Sequence, residues 1–201
     1  MKQDIQKKNC SVELLEETGY MCAVEAMRLS RRSIKMSDSV DGKLGIDDMS
    51  LMIRLMDEDD ISAGDPHAVA LRMIHYTFKI KAPLYWWKQM DRYTIGKTQS
   101  SDSTMYNIMS TRLSEDDFTD SVSPMIIHVL NFYIGSGAFD FVVQNLPSGY
   151  LQTRVVQFSL PTLRRILLQR YGHKLEEWMV FRRQVLRQVQ YPDLLWRQTD
   201  G

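Results

Sequence analysis

The stretch His75-Tyr76-Thr77-Phe78-Lys79-Ile80-Lys81-Ala82-Pro83-Leu84-Tyr85-Trp86-Trp87-Lys88-Gln89-Met90-Asp91-Arg92-Tyr93-Thr94 changes character once along its length. Up to Lys81 the residues alternate strictly, with Ile74, Tyr76, Phe78 and Ile80 on one side and His75, Thr77, Lys79 and Lys81 on the other. A period of two puts successive side chains on opposite faces of an extended chain, so 74–81 reads as a strand with one buried face. Pro83 presets φ and carries no N–H, which suits a helix start, and 84–92 reads as a short helix. Residues 96–103, with Gln99-Ser100-Ser101-Asp102-Ser103, read as a polar loop. Tyr85, Trp86, Trp87 and Met90 crowd that short helix and need cover, either from the core beneath the strand or from a second copy of the chain.

Outward from this segment the pattern is mainly helical. Leu14, Leu15, Cys22, Val24, Ala26, Met27 and Leu29 carry helical spacing over 13–34, interrupted near Gly19. Residues 37–45 read as a loop and 47–58 as a helix. Further helices are predicted over 125–134, closed by Gly135 and Gly137, and over 139–144, stopped by Leu146-Pro147. Residues 150–158 form a second strand candidate. A helix opened by Pro161 and followed by Gly172 carries Leu163, Ile166, Leu167 and Arg170, and a last helix fills 175–189. Many helices with few, separated strands indicate an α+β fold, and 201 residues suit a single domain over 1–201.

Lys plus Arg and Asp plus Glu both number 25, so the formal net charge is zero and a polymeric nucleic acid is not the expected partner. No apolar run approaches the roughly 20 residues that span a bilayer, and the charged start is not followed by an apolar h-region; the expected location is the cytoplasm. Cys10 and Cys22 offer no metal or disulfide spacing, no metal is expected, and both read as free thiols. Charge is uneven locally: 36–65 holds nine acidic and two basic residues, whereas 150–201 holds nine basic and four acidic ones. An anionic ligand would settle in the basic segment, near Arg164, Arg165 and Arg170, unless these form a solvated helix face or pair with the acidic stretch.

Phosphate loops, metal spacings and nucleophile elbows are missing from the sequence. What remains is a constellation: Gln89, Arg92 and Tyr93 at a helix end, a loop of hydroxyls and amides, and the arginine helix. Hydroxyl and amide donors beside a guanidinium fork suit a nucleotide phosphate and a pyrimidine edge. With these residues in view, the chain resembles the flavin-dependent thymidylate synthases. Phe78 lies in a strand, Lys81-Ala82-Pro83 opens a helix, Gln89 precedes Arg92-Tyr93-Thr94, and a polar loop ends in Ser103-Thr104-Met105-Tyr106. Gly64-Asp65-Pro66-His67 sits where that family has Gly-His, and Leu146-Pro147 through Leu163 to Arg170 follows its Leu-Pro, strand, helix and late arginine. The resemblance covers roughly 60–190.

The resemblance implies a mostly helical domain with a small antiparallel sheet, in a homotetramer whose sites combine subunits. It implies methylation of a pyrimidine deoxynucleotide such as deoxyuridylate at C5, using FAD, methylenetetrahydrofolate and NADPH. Gln89, Ser103, Tyr106, Arg165 and Arg170 would hold the nucleotide, with Ser103 and Arg170 catalytic and Arg170 at the pyrimidine edge. His67, Arg92, Tyr93, Ile95, Ser159 and Arg165 would lie against the flavin, with Tyr93 stacked on it. The family's Arg-His-Arg is here Arg92-Tyr93-Thr94, its Ser-x-Arg-Tyr has Met105 for arginine, and a phosphate arginine falls on Val143. Its flavin-side Glu, Asn and Arg fall on Arg72, Ser159 and Pro161. These departures imply a divergent, phage-like member with weak FAD binding. Pyrimidine hydroxymethylation, or a non-catalytic nucleotide- or protein-binding role on the same scaffold, is the alternative. Arg170 needs a partner on its helix face, and Glu176 or Glu177 is the structural alternative to a ligand.

Overall fold

Tyr76, Phe78 and Ile80 are fully buried, and their strand is one of the two inner strands of a four-stranded antiparallel sheet in the order Ser11–Thr18, His75–Pro83, Leu151–Ser159, Lys97–Ser101. The computed structural model describes residues 9–57 and 69–196; His67 lies outside them. Its strands are β1 (Ser11–Thr18), β2 (His75–Pro83), β3 (Lys97–Ser101) and β4 (Leu151–Ser159). Its helices are α1 (Tyr20–Ser30), α2 (Ile46–Asp57), α3 (Leu84–Met90), α4 (Thr104–Asn107), α5 (Pro124–Gly135), α6 (Phe139–Gln144), α7 (Leu160–Gln169) and α8 (Glu176–Gln188). This is the expected α+β class, with more helix than strand among the described residues. None of these helices is long and apolar enough to cross a membrane.

One face of the sheet builds the core. Phe78 and Val156 pair across β2 and β4, as do Tyr76 and Phe158, and the same cluster takes in Ala23 and Met27 of α1, Ile166 and Leu167 of α7, and Phe181 and Val185 of α8. Trp86 of α3 lies at its centre, with ring centroids 4.6 Å from Trp178 and 4.9 Å from Trp87. Trp86, Trp87 and Met90 are thus covered within one chain, so these aromatics argue for packing beneath the sheet and not for assembly. A second cluster, with Phe118, Ile127, Leu130 and Val142, joins α5 and α6 to the loop before them.

Two elements differ from the sequence reading. Residues 13–34 are not one helix: 11–18 is edge strand β1, and only 20–30 is helical. Gly19 divides them with φ of +91°, and a Cβ there would collide with the Met73 carbonyl. Glutamates in β1 mimic a helical composition, but Val12 and Leu14 face the core while Glu13 pairs with Lys79 on β2 at 3.4 Å. The strand's open edge is covered by two glutamines one turn apart on α8. Gln184 accepts from the Val12 N–H at 2.6 Å, and Gln188 accepts from Leu14 at 2.9 Å while donating to the Val12 carbonyl at 3.0 Å. Paired in this way, the edge no longer invites another strand.

The second difference is β3, expected as loop. Lys97–Ser101 pairs with β4 although its side chains are all polar, because it is the other edge, held by the backbone ladder and by the bonds of Lys97 and Gln99 to Met90 and Asp91 at the end of α3. Elsewhere the expected elements stand. Ser123 caps α5 ahead of Pro124, and Gly172, with φ of +67°, follows α7.

Candidate functional site

Helix α3 buries Trp86, Trp87 and Met90, which turns Gln89 sideways toward α8. The chain leaves α3 through Asp91 and Arg92 and buries Tyr93 against α7. Helix α7 buries Leu163, Ile166 and Leu167, so Arg165 and Gln169, one turn apart, line the open side, and Arg170 sits at the C-cap. Together Arg92, Tyr93, Arg165, Gln169 and Arg170 line an open cleft of about 470 Å³.

Arg170 is the hub. Its Nε donates to the Tyr93 hydroxyl at 2.8 Å, and its Nη1 donates to Gln89 Oε1 at 3.4 Å. Its guanidinium carbon lies 4.9 Å from the Trp178 ring centroid and 5.3 Å from that of Tyr93. Trp178 Nε1 donates to the same Gln89 oxygen at 3.0 Å. Neither Glu176 nor Glu177 is the partner of Arg170; Glu177 instead accepts the Tyr85 hydroxyl. Stacking on two aromatic rings and two neutral acceptors hold this arginine.

Arg165 lies 6.0 Å over the Tyr93 ring, and its buried Nε has no hydrogen-bond partner among the described residues. Tyr93 therefore orients Arg170, and its ring is already covered by two guanidiniums. His173 follows the cap; burial, then Arg170 and Lys174, push its pKa down, and its Nδ1 accepts from the Leu175 N–H at 3.0 Å.

Beside this cleft lies a closed charge cluster. Asp91 accepts from Arg154 Nη1 at 2.8 Å and from Gln99 Nε2 at 2.8 Å, with Lys97 Nζ at 3.6 Å. Lys97 is almost wholly buried, its side chain 4 % exposed, and Arg154 stacks on Trp87 at 4.3 Å. Burial would raise the Asp91 pKa, but the Gln99 amide and the two cations outweigh it and hold the carboxyl low. Arg92, next in sequence, has no ion pair among the described residues.

The fold thus gathers Arg92, Tyr93, Arg165 and Arg170 around one cleft, with Gln89 bonded to Arg170 but not among the lining residues. Ile95 and Ser159 line a smaller one of about 220 Å³ with Arg72, His75 and Thr162. Ser159 Oγ donates to Thr162 Oγ1 at 3.1 Å, so its hydroxyl already has a structural partner. Ser103 and Tyr106 lie elsewhere. Lys97 pairs with Phe158 while Ser101 pairs with Arg154, so Ser103 continues from the end of β3 remote from α7. Ser103 caps α4 by accepting from the Tyr106 N–H, and Tyr106 is 86 % exposed. The described residues hold no cluster of metal-ligating side chains. Trp178, Gln169, Lys97 and Arg154 escaped the sequence reading, since nothing in their local pattern separates them from packing or surface residues.

No family model matches the chain, and no curated protein matches it. Solved structures do. The flavin-dependent thymidylate synthase ThyX of Helicobacter pylori, complexed with FAD and dUMP, aligns with a TM-score of 0.76 at 17 % identity, covering 92 % of this chain and 97 % of that one. A second crystal structure of the H. pylori enzyme, also with FAD and dUMP, gives 0.75 at the same identity and coverage. The UMP/dUMP methylase PolB of Streptomyces cacaoi, bound with 5-Br dUMP, aligns with a TM-score of 0.62 at 16 % identity over 89 % of each chain. The chain has the ThyX fold.

Proposed function

We propose that this chain binds a pyrimidine deoxynucleotide, deoxyuridylate or an analogue, at the arginine cleft and transfers a one-carbon unit to C5 of its base. The observation that carries this reading is the convergence of Arg92, Tyr93, Arg165 and Arg170, drawn from the turn after α3 and from α7, on one cleft with no carboxylate among its described lining residues, Arg170 being held from behind by Gln89 of α3. The fold is that of enzymes solved with FAD and dUMP.

The cleft suits an anionic cofactor. Among the described residues Arg92 and Arg165 have no carboxylate partners, and the Arg165 Nε is a buried donor without an acceptor. Arg92 and Arg165 would hold the phosphates of FAD, while Ile95 and Ser159 would wall the smaller cleft beside it. When bound, the flavin supplies the hydride for reductive methylation, with methylenetetrahydrofolate as one-carbon donor and NADPH as reductant. The chain's own contribution is positional. Arg170 is fixed by Tyr93, Gln89 and Trp178 before any ligand arrives, so little reorganisation accompanies binding. Tyr93 is buried and its hydroxyl is already engaged by Arg170, which supports weak FAD binding.

Ser103 and Tyr106 enter the site only if a second copy supplies them, because they lie beyond the far end of β3. A homotetramer is the proposed assembly. Met125 and Phe132, each 68 % exposed, and Val129, 40 % exposed, form an apolar stripe along α5 that supports such contact.

The engagement of Arg170 Nε and of Gln89 Oε1 within the chain favours a second reading, a non-catalytic nucleotide-binding relative. Flavin titration followed by fluorescence, and calorimetry with deoxyuridylate, separate the two. Binding of both, with product methylated or hydroxymethylated at C5, supports the enzyme. Deoxyuridylate binding without flavin binding supports the second reading, and binding of neither sinks both.

A further inference from the structure

We propose that the cavity between α1 and α2 is a second binding site, and that it takes a small amphipathic organic acid, an apolar body with a carboxylate or sulfonate at one end. Its volume is about 510 Å³, and it shares no described lining residue with the arginine cleft or with the smaller cleft beside Ser159. The proposal therefore stands apart from the nucleotide reading. Helix periodicity builds the walls. Met27 of α1 and Met52 and Met56 of α2 are buried, and the neighbouring stripes of the two helices, three and four residues apart, line the gap between them. Arg31 lies at the C-cap of α1, and Arg54 stands beside Leu51 and Leu55 on α2.

Three arginines line the cavity, and among the described residues no carboxylate does. Arg28 is the fixed one. It is 8 % exposed, and the fully buried Asp48 holds it through Nε at 2.7 Å. The other Asp48 oxygen serves the hydroxyls of Ser37 and Ser39, and no described residue accepts from either Nη of Arg28. A buried guanidinium with unspent donors is costly until an anion meets it. Arg31 and Arg54 add charge, again without a carboxylate partner among the described residues. The two hydroxyls of the lining give nothing more as donors: Ser30 donates to the Met27 carbonyl at 2.8 Å and Ser33 to that of Arg28 at 3.4 Å. The rest of the wall is carbon and thioether sulfur, with Met27, Leu51 and Leu55 inside and Met36, Val69 and Met73 exposed around it. Methionine is unbranched and polarizable, so such a wall adapts to apolar bodies of different shape, aliphatic or aromatic. Selection falls on the acid end, where a guanidinium fork matches a carboxylate or sulfonate.

Fluorescence of anilinonaphthalene sulfonate on the full chain tests this, with dodecanoate and neutral dodecanol as competitors at micromolar concentration. The dye is expected to bind, and dodecanoate to displace it at least about tenfold more effectively than dodecanol. Arg31→Met combined with Arg54→Met removes two cations while keeping apolar stems. The pair is expected to weaken dodecanoate about tenfold to a hundredfold without changing the melting temperature. Ala26→Phe fills the cavity and is expected to abolish displaceable dye binding; should it lower the melting temperature, the arginine pair alone decides. Absence of dye binding, displacement by dodecanol as effective as by dodecanoate, or a dye signal that ignores the arginine pair overturns the proposal and leaves the nucleotide reading standing. Displacement of the dye by deoxyuridylate or FAD overturns it as well, because the cavity is then part of the nucleotide site. Dye and dodecanoate binding as expected, in a chain that binds neither deoxyuridylate nor FAD, supports this site and sinks only the nucleotide reading.

Discussion

Asp91 and Arg92 are neighbours in sequence and opposites in environment. Asp91 collects Lys97, Arg154 and Gln99 into a cluster in which each charge has a counter-charge. Arg92 turns the other way, into a cleft where Arg165 and Arg170 add positive charge with no acid among the described lining residues. Burying a charge without a partner is costly, so the folded chain alone accounts for the first arrangement. The second leaves repulsion and an orphaned donor in place, and an anion that enters the cleft relieves both. Paired charges are structure here, and the cations without a carboxylate among the described residues mark the proposed binding surface.

The extreme case of the paired kind gives the largest expected effect. Asp48 is fully buried, bonded to Arg28 Nε at 2.7 Å and to the hydroxyls of Ser37 and Ser39 at 2.6 and 2.7 Å. Asp48→Ala strands the buried guanidinium of Arg28 and is expected to cost about 3–5 kcal/mol in urea unfolding. Asp91→Ala should cost less, about 1–2 kcal/mol, because the Asp91 side chain is 41 % exposed and solvent screens part of the interaction.

Acid sharpens the same contrast. The pKa of Asp48, like that of Asp91, is held low: burial alone would raise it, but hydrogen bonds from Ser37, Ser39 and Arg28 and the charge of Arg28 prevail. A carboxyl depressed in the folded state binds fewer protons folded than unfolded. Its stabilisation is complete above the unfolded value of about 4 and is lost as pH falls through the folded one. Urea unfolding of wild type between pH 6 and pH 3 should show that loss, and Asp91→Asn should flatten it.

In the arginine cleft, by contrast, Arg165→Gln is expected to leave stability within about 0.5 kcal/mol, since no counter-charge is stranded. A loss as large as that of Asp91→Ala would break the comparison and make Arg165 structural. The smallest effect belongs to His173, which is only half-buried and whose pKa burial, Arg170 and Lys174 depress. Its contribution is complete above the unfolded value of about 6.5 and lost as pH falls through the folded one. Melting temperatures at pH 7.5 and 5.5 should therefore differ slightly less in His173→Gln than in wild type.

The strand and helix of 74–92 could be read directly because period and punctuation agree there: strict alternation, then proline, then aromatics. Both edge strands escaped. β1 is rich in glutamate and β3 in hydroxyls and amides, and each owes its conformation to the strand beside it more than to its own side chains. Of the site, Gln89, Arg92, Tyr93, Arg165 and Arg170 were named from sequence. Trp178 was not, because a tryptophan in the first turn of a helix has the pattern of any core residue; its Nε1 acquires meaning only when α8 packs beside α3.

By itself the sequence determined where the chain must bury a face and where helices must start and stop, because hydrophobic periodicity, proline and glycine act over a few residues. It also placed an excess of arginine in the last quarter of the chain. Only the tertiary structure decided which of those charges are neutralised. Asp91 meets Arg154 across 63 residues of sequence and Arg170 meets Gln89 across 81, and no local pattern records such distances. Electrostatic pairing and the direction of an amide depend on what arrives opposite, so the difference between a structural cluster and a candidate binding cleft is written in the packing of α3 against α7, α8 and β4.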